Sequence, residues 1–355
     1  MSDTRALVAE AITATRIHPP ARYAWFGRMS PQLTARTART LSPQATRDHL
    51  VAQLTGQLYS DFYRRGRAEP SRWSAPRSGP SRAEFEAALS AANCGRGLVD
   101  AGWYVRGVDA RGVMVVKNGL ELTVDATELV ETRSTGGQTD GHPMDDVHID
   151  SENGPTAGAL VSMRLPKELL SISPGFYLAC ANRPMDPVRG RQMVRLYWNL
   201  RADGAVPFVA AATRRLNSAD AAFRLKVLND PDAFDRCDAA VIYLARDDYP
   251  GLADLILGLQ VEIRDFLSPR TPVFTAELAP GLGFAEDPGT AESFGQQRCR
   301  LLANALVQSH ESGSMDDAAR LADVEIWFAQ AGIDLAAAHL SPVVSPSPAH
   351  LVPVR

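Results

Sequence analysis

A lone lysine, Lys226, interrupts an apolar segment with the composition of a β-strand, Phe223 to Val227. Alternate side chains of a strand share a face, so Arg224 and Lys226 point to the face opposite the core. Partial shielding from water and nearby cations both disfavour the ammonium form of a lysine. A lysine in that setting has a lowered pKa and can serve as a base.

A second segment, Val194 to Leu200, shows the same alternation and places Arg195, Tyr197 and Asn199 on its polar face. If both strands belong to one sheet, their polar faces line a single cleft. The alternative is a solvated outer face of an antiparallel sheet, and the strand pattern alone does not separate the two.

Two further arginines have neighbours that could position them. Arg236 stands two residues from Asp238, which predicts a local ion pair, most often a structural one. Ser293 and Gln296 form a capping box, and Arg298 follows in the first turns of that helix. A helix start carries free N–H groups and positive potential, so this is a candidate phosphate site. The alternative is a simple cap with a surface arginine.

Histidine and cysteine positions predict no metal site and no disulfide framework. His148 lies in a polar, glycine-rich segment, Glu131 to Ala157, and is either a surface residue or an acid with a suitable pKa. The other histidines show no metal-ligand spacing, and the four cysteines include no CxxC pair.

The composition is that of an ordinary soluble protein. The 355 residues are 45% hydrophobic and carry a formal net charge of −4, which disfavours a general nucleic-acid-binding role. No segment approaches the roughly 20 consecutive apolar residues that cross a bilayer, and the N-terminus lacks an apolar signal core. The sequence therefore predicts a cytoplasmic protein without membrane partners.

The order of elements predicts an α+β fold, a mostly antiparallel sheet flanked by helices. Helical periodicity dominates residues 1–95, including Leu50 to Tyr63 and a helix whose capping box is Ser81 and Glu84. Short alternating runs fill Gly102 to Val124, with Asn118-Gly119 as a hairpin turn.

Strands and helices then continue to the C-terminal end of the predicted core. We expect strands at Gly158 to Leu165 and Gly175 to Ala181, the two described above, and Ala239 to Leu244; helices follow at Leu252 to Leu267, Ser293 to Ser309 and Met315 to Ala331. The segment PGLGFAEDPG lacks a phosphate-loop pattern at Gly281-Leu282-Gly283 and is predicted to be a turn. The predicted units are a helical region at 1–95, an α+β core at 96–335 and a proline-rich, disordered tail at 336–355.

Several segments occur together in one order: LSAANCGRGLVDAGW, PGFYLA, VRLYWNL, FRLKVLNDPDAFDRCDAAVIYLA and FTAELAPGLGFAEDPGTAESFGQQRC. This combination resembles the effector domain first named in the Hop type III effectors of plant-pathogenic bacteria. The same domain occurs as the lyase partner in class V lanthipeptide and thioamitide biosynthesis. The resemblance extends from about Leu50 to Ala305.

The resemblance implies β-elimination of phosphate from phosphoserine or phosphothreonine in a ribosomally made precursor peptide. A separate kinase-like protein would add the phosphate, since the chain has no HRD, DFG or glycine-rich kinase loop. On this interpretation the enzyme uses no cofactor. Lys226 is the base, Tyr197 and His148 are candidate acids, and the candidate substrate-binding residues are Arg195, Arg236, Arg298, Arg224 and Asn199.

Two rival hypotheses fit the same residues. A non-catalytic module could hold a phosphopeptide or a kinase in the same cationic cleft. A translocated effector could act on host proteins. Replacing Lys226 separates a binder from a lyase, because only a lyase loses turnover while still binding substrate.

Overall fold

The computed structural model of the protein describes residues 3–34, 40–72, 79–131, 156–170, 172–185, 192–314 and 316–342. The predicted α+β class is confirmed, with antiparallel sheets and flanking helices. The described α-helices are α1 (Thr4–Ala14), α2 (Pro43–Asp61), α3 (Arg82–Ala92), α4 (Ala205–Ser218), α5 (Tyr249–Ile263), α6 (Phe294–Glu311) and α7 (Asp317–Gln330).

The strands form three antiparallel sheets. The small sheet contains β1 (Thr15–His18), β2 (Arg22–Trp25) and β3 (Arg28–Met29). The five-stranded sheet contains β4 (Val99–Asp109), β5 (Gly112–Lys117), β6 (Leu120–Val124), β7 (Leu129–Glu131) and β8 (Leu160–Arg164). The central sheet contains β9 (Glu168–Leu169), β10 (Phe176–Cys180), β11 (Met193–Trp198), β12 (Phe223–Leu228), β13 (Ala240–Ala245), β14 (Ala276–Ala279) and β15 (Leu282–Glu286).

The central sheet joins the two strands that carry the candidate chemistry. Its strand order is β14-β15-β11-β13-β12-β10-β9, so β13 lies between β11 and β12. Lys226 pairs with Val241, and Val241 pairs with Tyr197 on the far side. Directly paired residues share a face, so Lys226 and Tyr197 lie on the same face of one sheet, as the sequence predicted.

Helices cover both faces of the central sheet. One face packs on α3, α4 and α5 through residues such as Leu196, Trp198 and Phe208. The other face carries Tyr197 and Val241, which are 3% and 5% exposed and share a core with α2 and α6. A wholly solvated outer sheet face is therefore wrong, because helices cover the part of this face that carries Tyr197, although Arg224 on the same face is exposed.

The N-terminal region is less helical than predicted. A three-stranded meander, β1 to β3, follows α1 and packs its Trp25 into the same core as α2. Trp25 is 2% exposed, and its indole N–H donates to the Glu69 carbonyl at 2.7 Å. The strands are only two to four residues long, too short for a period-two pattern to emerge.

Local signals in the sequence fix several element ends. Both predicted capping boxes are present, Ser81 with Glu84 and Ser293 with Gln296, and each cap stabilises its helix by about 1 kcal/mol. Asn118 and Gly119 adopt φ of 50° and 80°, the left-handed pair that a two-residue hairpin needs.

The segment PGLGFAEDPG extends beyond a simple turn. Gly281, with φ of 76°, makes the turn, but strands lie on both sides of it as the β14–β15 hairpin. Leu282 is fully buried and belongs to the core on the α4–α5 side of the sheet. The sequence did not predict β15, because Gly283 lies within it and glycine is a weak strand former.

The C-terminal part of the described chain is packed against the core. Residues 336–342, predicted to begin a disordered tail, include Ala338, which is 1% exposed. The backbone N–H of Glu286 donates to the His339 carbonyl at 2.8 Å. That part of the tail prediction is wrong, and residues 343–355 lie outside the described residues. Among the helices that the structure describes, none has the length and apolar character to span a bilayer.

Candidate functional site

The candidate site lies where the polar face of the central sheet meets the end of α2. A 3-10 helix, Tyr63–Arg65, follows α2, and the backbone N–H of Cys237 donates to the Arg64 carbonyl at 2.7 Å. This bond brings the loop after β12, which carries Arg236 and Asp238, against the N-terminal segment. The site is therefore built from residues about 170 positions apart in the chain.

Lys226 Nζ makes no hydrogen bond and no ion pair to any described residue; its close contact is the face of the Phe176 ring, with 3.9 Å to the ring centroid. The side chain is partly buried. Burial lowers the pKa of this lysine, Arg236 and Arg195 lower it further, and Asp238 partly opposes them. The direction is the one that the sequence predicted, and it favours a neutral amine that can accept a proton.

Arg236 is fixed by Asp238 in a two-pronged ion pair. Its Nε and a terminal nitrogen both donate to the carboxylate, the second at 2.5 Å. Both side chains are nearly buried, at 11% and 7% exposure. The guanidinium carbon also lies 5.7 Å from the Phe176 ring centroid, on the same aromatic ring as Lys226. The sequence-predicted pair thus lies beside the lysine and holds Arg236 rigidly.

Arg195 is the second cation on this face, and Asp287 holds it. Its Nε donates to Asp287 Oδ2 at 2.7 Å, and a terminal nitrogen lies 2.6 Å from the same oxygen. The guanidinium carbon lies 5.3 Å from the Tyr243 ring centroid. Although burial disfavours the charged form, Tyr197, Tyr243 and Asp287 together raise the pKa of this arginine. Arg195 therefore stays charged.

Tyrosines form the wall between the sheet and α2. Tyr59 and Tyr63 stack with ring centroids 5.3 Å apart, and Tyr63 meets Tyr197 edge to face at 6.5 Å. Tyr197 interacts electrostatically with both Tyr63 and Arg195. Burial raises the pKa of Tyr197 to about 12, against the opposing effect of Arg195. Tyr197 is thus a neutral hydroxyl at pH 7.

Arg64 is a further cation of the site that the sequence reasoning missed. Its Nε is buried and has no hydrogen-bond partner among the described residues. Burial and the charge of Arg236 lower its pKa, while Asp238 raises it. No local signal identifies it, because Arg64, Arg65 and Arg67 stand in one basic run and only the tertiary fold turns the first toward Arg236.

Arg298 is not part of the group around Lys226, so its assignment to a phosphate clamp is corrected. The residue is fully buried, its Nε donates to the Ala338 carbonyl at 2.9 Å, and a terminal nitrogen donates to the Leu340 carbonyl at 2.7 Å. The capping box before it is real, but the guanidinium binds the C-terminal segment. A capping pattern fixes the helix start and leaves side-chain direction undetermined.

Asn199 differs from the sequence-based interpretation, whereas Arg224 lies on the sheet face predicted for it. Asn199 is 6% exposed, and its amide donates to the Arg270 carbonyl at 2.9 Å and to Cys237 Sγ at 3.5 Å, so it anchors neighbouring loops. Arg224 is exposed and pairs across the sheet with Tyr243. It shares the face of Lys226 at the rim of the site. His148 lies outside the described residues.

Well-formed cavities occur elsewhere in the molecule. One of about 800 Å³ lies beside α1 and the turn after β2, and its lining includes Glu10, Arg16 and Phe26. It lacks the arrangement of a lysine between paired arginines, so we assign the candidate site from chemistry rather than from cavity size. In the described ranges no cluster of three or more His, Cys, Asp or Glu side chains could hold a metal ion.

Comparison with known proteins confirms the resemblance to the Hop effector domain. Residues 168–340 match the HopA1 effector protein family. The structure of the effector protein from Pseudomonas syringae pv. tomato strain DC3000 is similar, at 16% identity over 86% of this chain and 93% of that chain, with a TM-score of 0.45. The structure of the effector protein from Pseudomonas syringae pv. syringae strain 61 is also similar, at 12% identity over 82% of this chain and 95% of that chain, with a TM-score of 0.40. Comparison with curated proteins found no match.

Proposed function

We propose that this chain, whose residues 168–340 match the HopA1 effector protein family, is a phosphoserine/phosphothreonine lyase acting on a ribosomally made precursor peptide. The observation that carries the proposal is the setting of Lys226. It is a partly buried lysine with a lowered pKa and no carboxylate partner among the described residues, flanked by Arg236 and Arg195. A base beside cations is what β-elimination of phosphate needs.

In the proposed reaction the neutral amine of Lys226 takes the α proton of the phosphorylated residue. The electron pair of the Cα–H bond forms the Cα=Cβ double bond, and the Cβ–O bond breaks. The oxygen leaves with its electron pair as inorganic phosphate, and the product is dehydroalanine or dehydrobutyrine. A positioned base typically contributes about 10²- to 10⁴-fold to such a step. The reaction is redox neutral, so the proposal invokes no cofactor.

Arg195 and Arg236 suit the phosphate because carboxylates already fix their orientation. Asp287 and Asp238 hold the two guanidinium groups in place, which reduces the reorganisation needed when charge develops on the leaving oxygen. A planar guanidinium can also give two parallel hydrogen bonds to phosphate oxygens. The phosphate group carries about −1.5 to −2 charge at pH 7, so these contacts strengthen as the bond to carbon breaks.

Tyr197 is the proposed hydrogen-bond donor to the leaving oxygen. Its pKa of about 12 keeps the proton on the hydroxyl, and it lies on the sheet face that carries Lys226 and Arg195. His148 remains an alternative acid, and it is the residue to replace next if Tyr197→Phe retains full turnover. The proposed partners are the phosphorylated precursor peptide and a separate kinase-like protein, both cytoplasmic.

The decisive experiment follows the mass of a synthetic phosphothreonine peptide incubated with the full-length protein. We expect loss of the elements of phosphoric acid by the wild type. Lys226→Gln should lower turnover by at least about 100-fold while phosphopeptide affinity stays within a few-fold, because it removes the base and leaves both arginines.

Lys117→Gln is the matched control for this experiment. Lys117 pairs with Asp100 on the five-stranded sheet, so its loss removes the same charge without touching the candidate site. Equal turnover in Lys226→Gln and the wild type would contradict the proposal.

A non-catalytic phosphopeptide-binding module is the second candidate, since the same arginines could simply hold a phosphate. It predicts tight binding of the phosphopeptide with no change in mass in the presence of the folded protein. The translocated-effector hypothesis is favoured by the family match itself. It predicts elimination from phosphorylated host proteins and none from a precursor peptide.

A further inference from the structure

We infer that Arg64, from the N-terminal segment, is a phosphate-binding residue of this site and supplies the positive charge that the chain's own carboxylates leave unbalanced. The inference rests on the proposed function and extends it to a residue outside the family match, which begins at residue 168. The ligand class is a phosphate monoester dianion carried by a peptide.

The first observation is an unsatisfied donor. Arg64 Nε is buried and has no acceptor among the described residues. Buried N–H groups are nearly always paired, and one attached to a cation is especially costly to leave unpaired. A ligand oxygen would satisfy it.

The second observation is the position of Arg64 relative to Arg236 and Asp238. The like charge of Arg236 acts on Arg64, and Asp238, which favours the charged form of both, already accepts two hydrogen bonds from Arg236. Arg64 makes no ion pair with that carboxylate among the described residues, so its charge is less well compensated than the charge of Arg236. The repulsion between the two guanidinium groups is relieved by an anion that both can bind, and a phosphate has enough oxygens for both.

The third observation is the balance of charge around Lys226. Arg195 is offset by Asp287, and Arg236 is offset by Asp238. Lys226 is neutral when it acts as the base. Two cations near these groups then have no carboxylate partner among the described residues: Arg224, which is exposed at the rim, and Arg64, which is partly buried. The neighbour of Arg64, Arg65, pairs with Asp235. A dianion bound inside the site would therefore gain net electrostatic stabilisation from Arg64.

The backbone around Arg64 is held in place on both sides. The Cys237 N–H donates to the Arg64 carbonyl at 2.7 Å, and the Val273 N–H donates to the Tyr63 carbonyl at 3.1 Å. Gly66 closes the turn with φ of 72°, and a Cβ there would lie 2.6 Å from the Thr271 carbonyl oxygen. A guanidinium on so constrained a turn is preorganised for a ligand.

The test compares Arg64→Gln with Arg67→Gln in the full-length protein. Arg67 is three residues further on and pairs with Glu69, which Arg72 and Arg270 also contact, so its loss removes the same charge outside the site. Affinity is measured by titration calorimetry with a phosphothreonine peptide and with its unphosphorylated form. All variants carry Lys226→Gln, so that binding is read without turnover.

We expect Arg64→Gln to weaken phosphopeptide binding by about 10- to 100-fold and to leave binding of the unphosphorylated peptide unchanged. Arg67→Gln should bind both peptides as the parent does. Inorganic phosphate should raise the melting temperature of the parent and fail to do so for Arg64→Gln.

Three results would overturn the inference: unchanged phosphopeptide affinity in Arg64→Gln, equal loss with both peptides, or failure of Arg64→Gln to fold, which would make Arg64 a structural residue. The outcome is separate from that of the lyase proposal. If the wild type eliminates nothing but Arg64→Gln loses phosphate-dependent binding, the lyase proposal fails and Arg64 remains an anion ligand.

Discussion

Lys226 and Arg236 both lie near the Phe176 ring, and the charge of Arg236 disfavours the ammonium form of the lysine. Both lie within 6 Å of the Phe176 centroid, and the charge of Arg236 is the largest charge effect lowering the pKa of Lys226. As the proposed base, Lys226 would act only when unprotonated. Activity should therefore rise with pH through the pKa of Lys226 and define the acid limb of the kcat/KM profile.

We expect Arg236→Gln to move that acid limb to higher pH, because removing a neighbouring positive charge favours the ammonium form of Lys226. Asp238, freed from its pair, acts in the same direction. The measurement is kcat/KM for elimination across pH 5 to 10. An acid limb at unchanged pH, with only the maximum kcat/KM reduced, would contradict the assignment of Lys226 as the base.

Phe176→Leu is the control, because it should shift the acid limb of the kcat/KM profile in the opposite direction. A ring face stabilises an ammonium ion by about 0.5–2 kcal/mol, so replacing it with an aliphatic side chain lowers the pKa of Lys226 and moves the limb to lower pH. Opposite shifts in the two variants exclude a general loosening of the site as the cause.

The sequence predicted the ion pair of Arg236 and the lowered pKa of Lys226 because each depends on a short stretch of the chain. An isolated lysine in an apolar strand and an arginine two residues from an aspartate both carry their meaning in a few positions, and the structure places Lys226 beside the Arg236–Asp238 pair. Arg64 was missed because its significance depends on a contact with residue 236. Arg298 was misplaced because nothing in the helix-start pattern reveals its carbonyl partners.

At the scale of elements, α2 and α6 approach closely around Tyr63. Gly295, in the first turn of α6, has so little space that a Cβ would lie 2.3 Å from the Tyr63 ring. Tyr63 is itself enclosed by Tyr59, Tyr197 and Phe294. The ring has no free direction in which to move.

We therefore expect Gly295→Ala to lower the free energy of unfolding by about 1–3 kcal/mol, because overpacking forces a shift of ring or helix. Thermal unfolding followed by circular dichroism measures the effect. The matched control is Gly56→Ala in α2, where nothing lies within 4 Å of the new methyl group. That substitution should stabilise the protein by about 0.4–1 kcal/mol, so the same chemical change has opposite signs at the two positions.

The elements that the sequence predicted are those with strong periodicity or a turn signal, such as α6 with its capping box and the Asn118-Gly119 hairpin. Those it missed are short or rich in glycine. The strands β1 to β3 have two to four residues each, and Gly283 lies within β15. Their stability comes from tertiary packing of residues such as Trp25 and Leu282, which no local window contains.

At the scale of the whole molecule, Arg298 ties the C-terminal segment to α6 and β15. Its guanidinium donates to the carbonyls of Ala338 and Leu340, and the Ser341 N–H donates to Glu286 at 3.0 Å. Burial lowers the pKa of Arg298 to about 10, which leaves it charged at neutral pH and held by peptide carbonyls.

We expect Arg298→Met to lower the free energy of unfolding by about 2–3 kcal/mol, because it leaves the buried Ala338 carbonyl and the partly buried Leu340 carbonyl without this donor. Phosphopeptide affinity of the folded variant should stay within a few-fold of wild type, as Arg298 lies outside the group around Lys226. Denaturant unfolding and peptide titration check the two parts. The control is Arg300→Met, which removes a half-exposed arginine paired with Glu292 and should cost less than about 1 kcal/mol. A large loss of affinity in Arg298→Met would restore its assignment to the phosphate clamp.

The packing of α2 on α6 also constrains how the protein is made. Phe294 follows Tyr63 by 231 positions, and the apolar residues of α2, including Leu54 and Leu58, share a core with α6. A nascent chain that has released α2 must keep those side chains exposed, or shielded by a chaperone, until translation delivers α6. The site around Lys226 consequently closes only after α6 has been synthesised, and a chain that stops before α6 lacks the packing of α2 on α6 that encloses Tyr63.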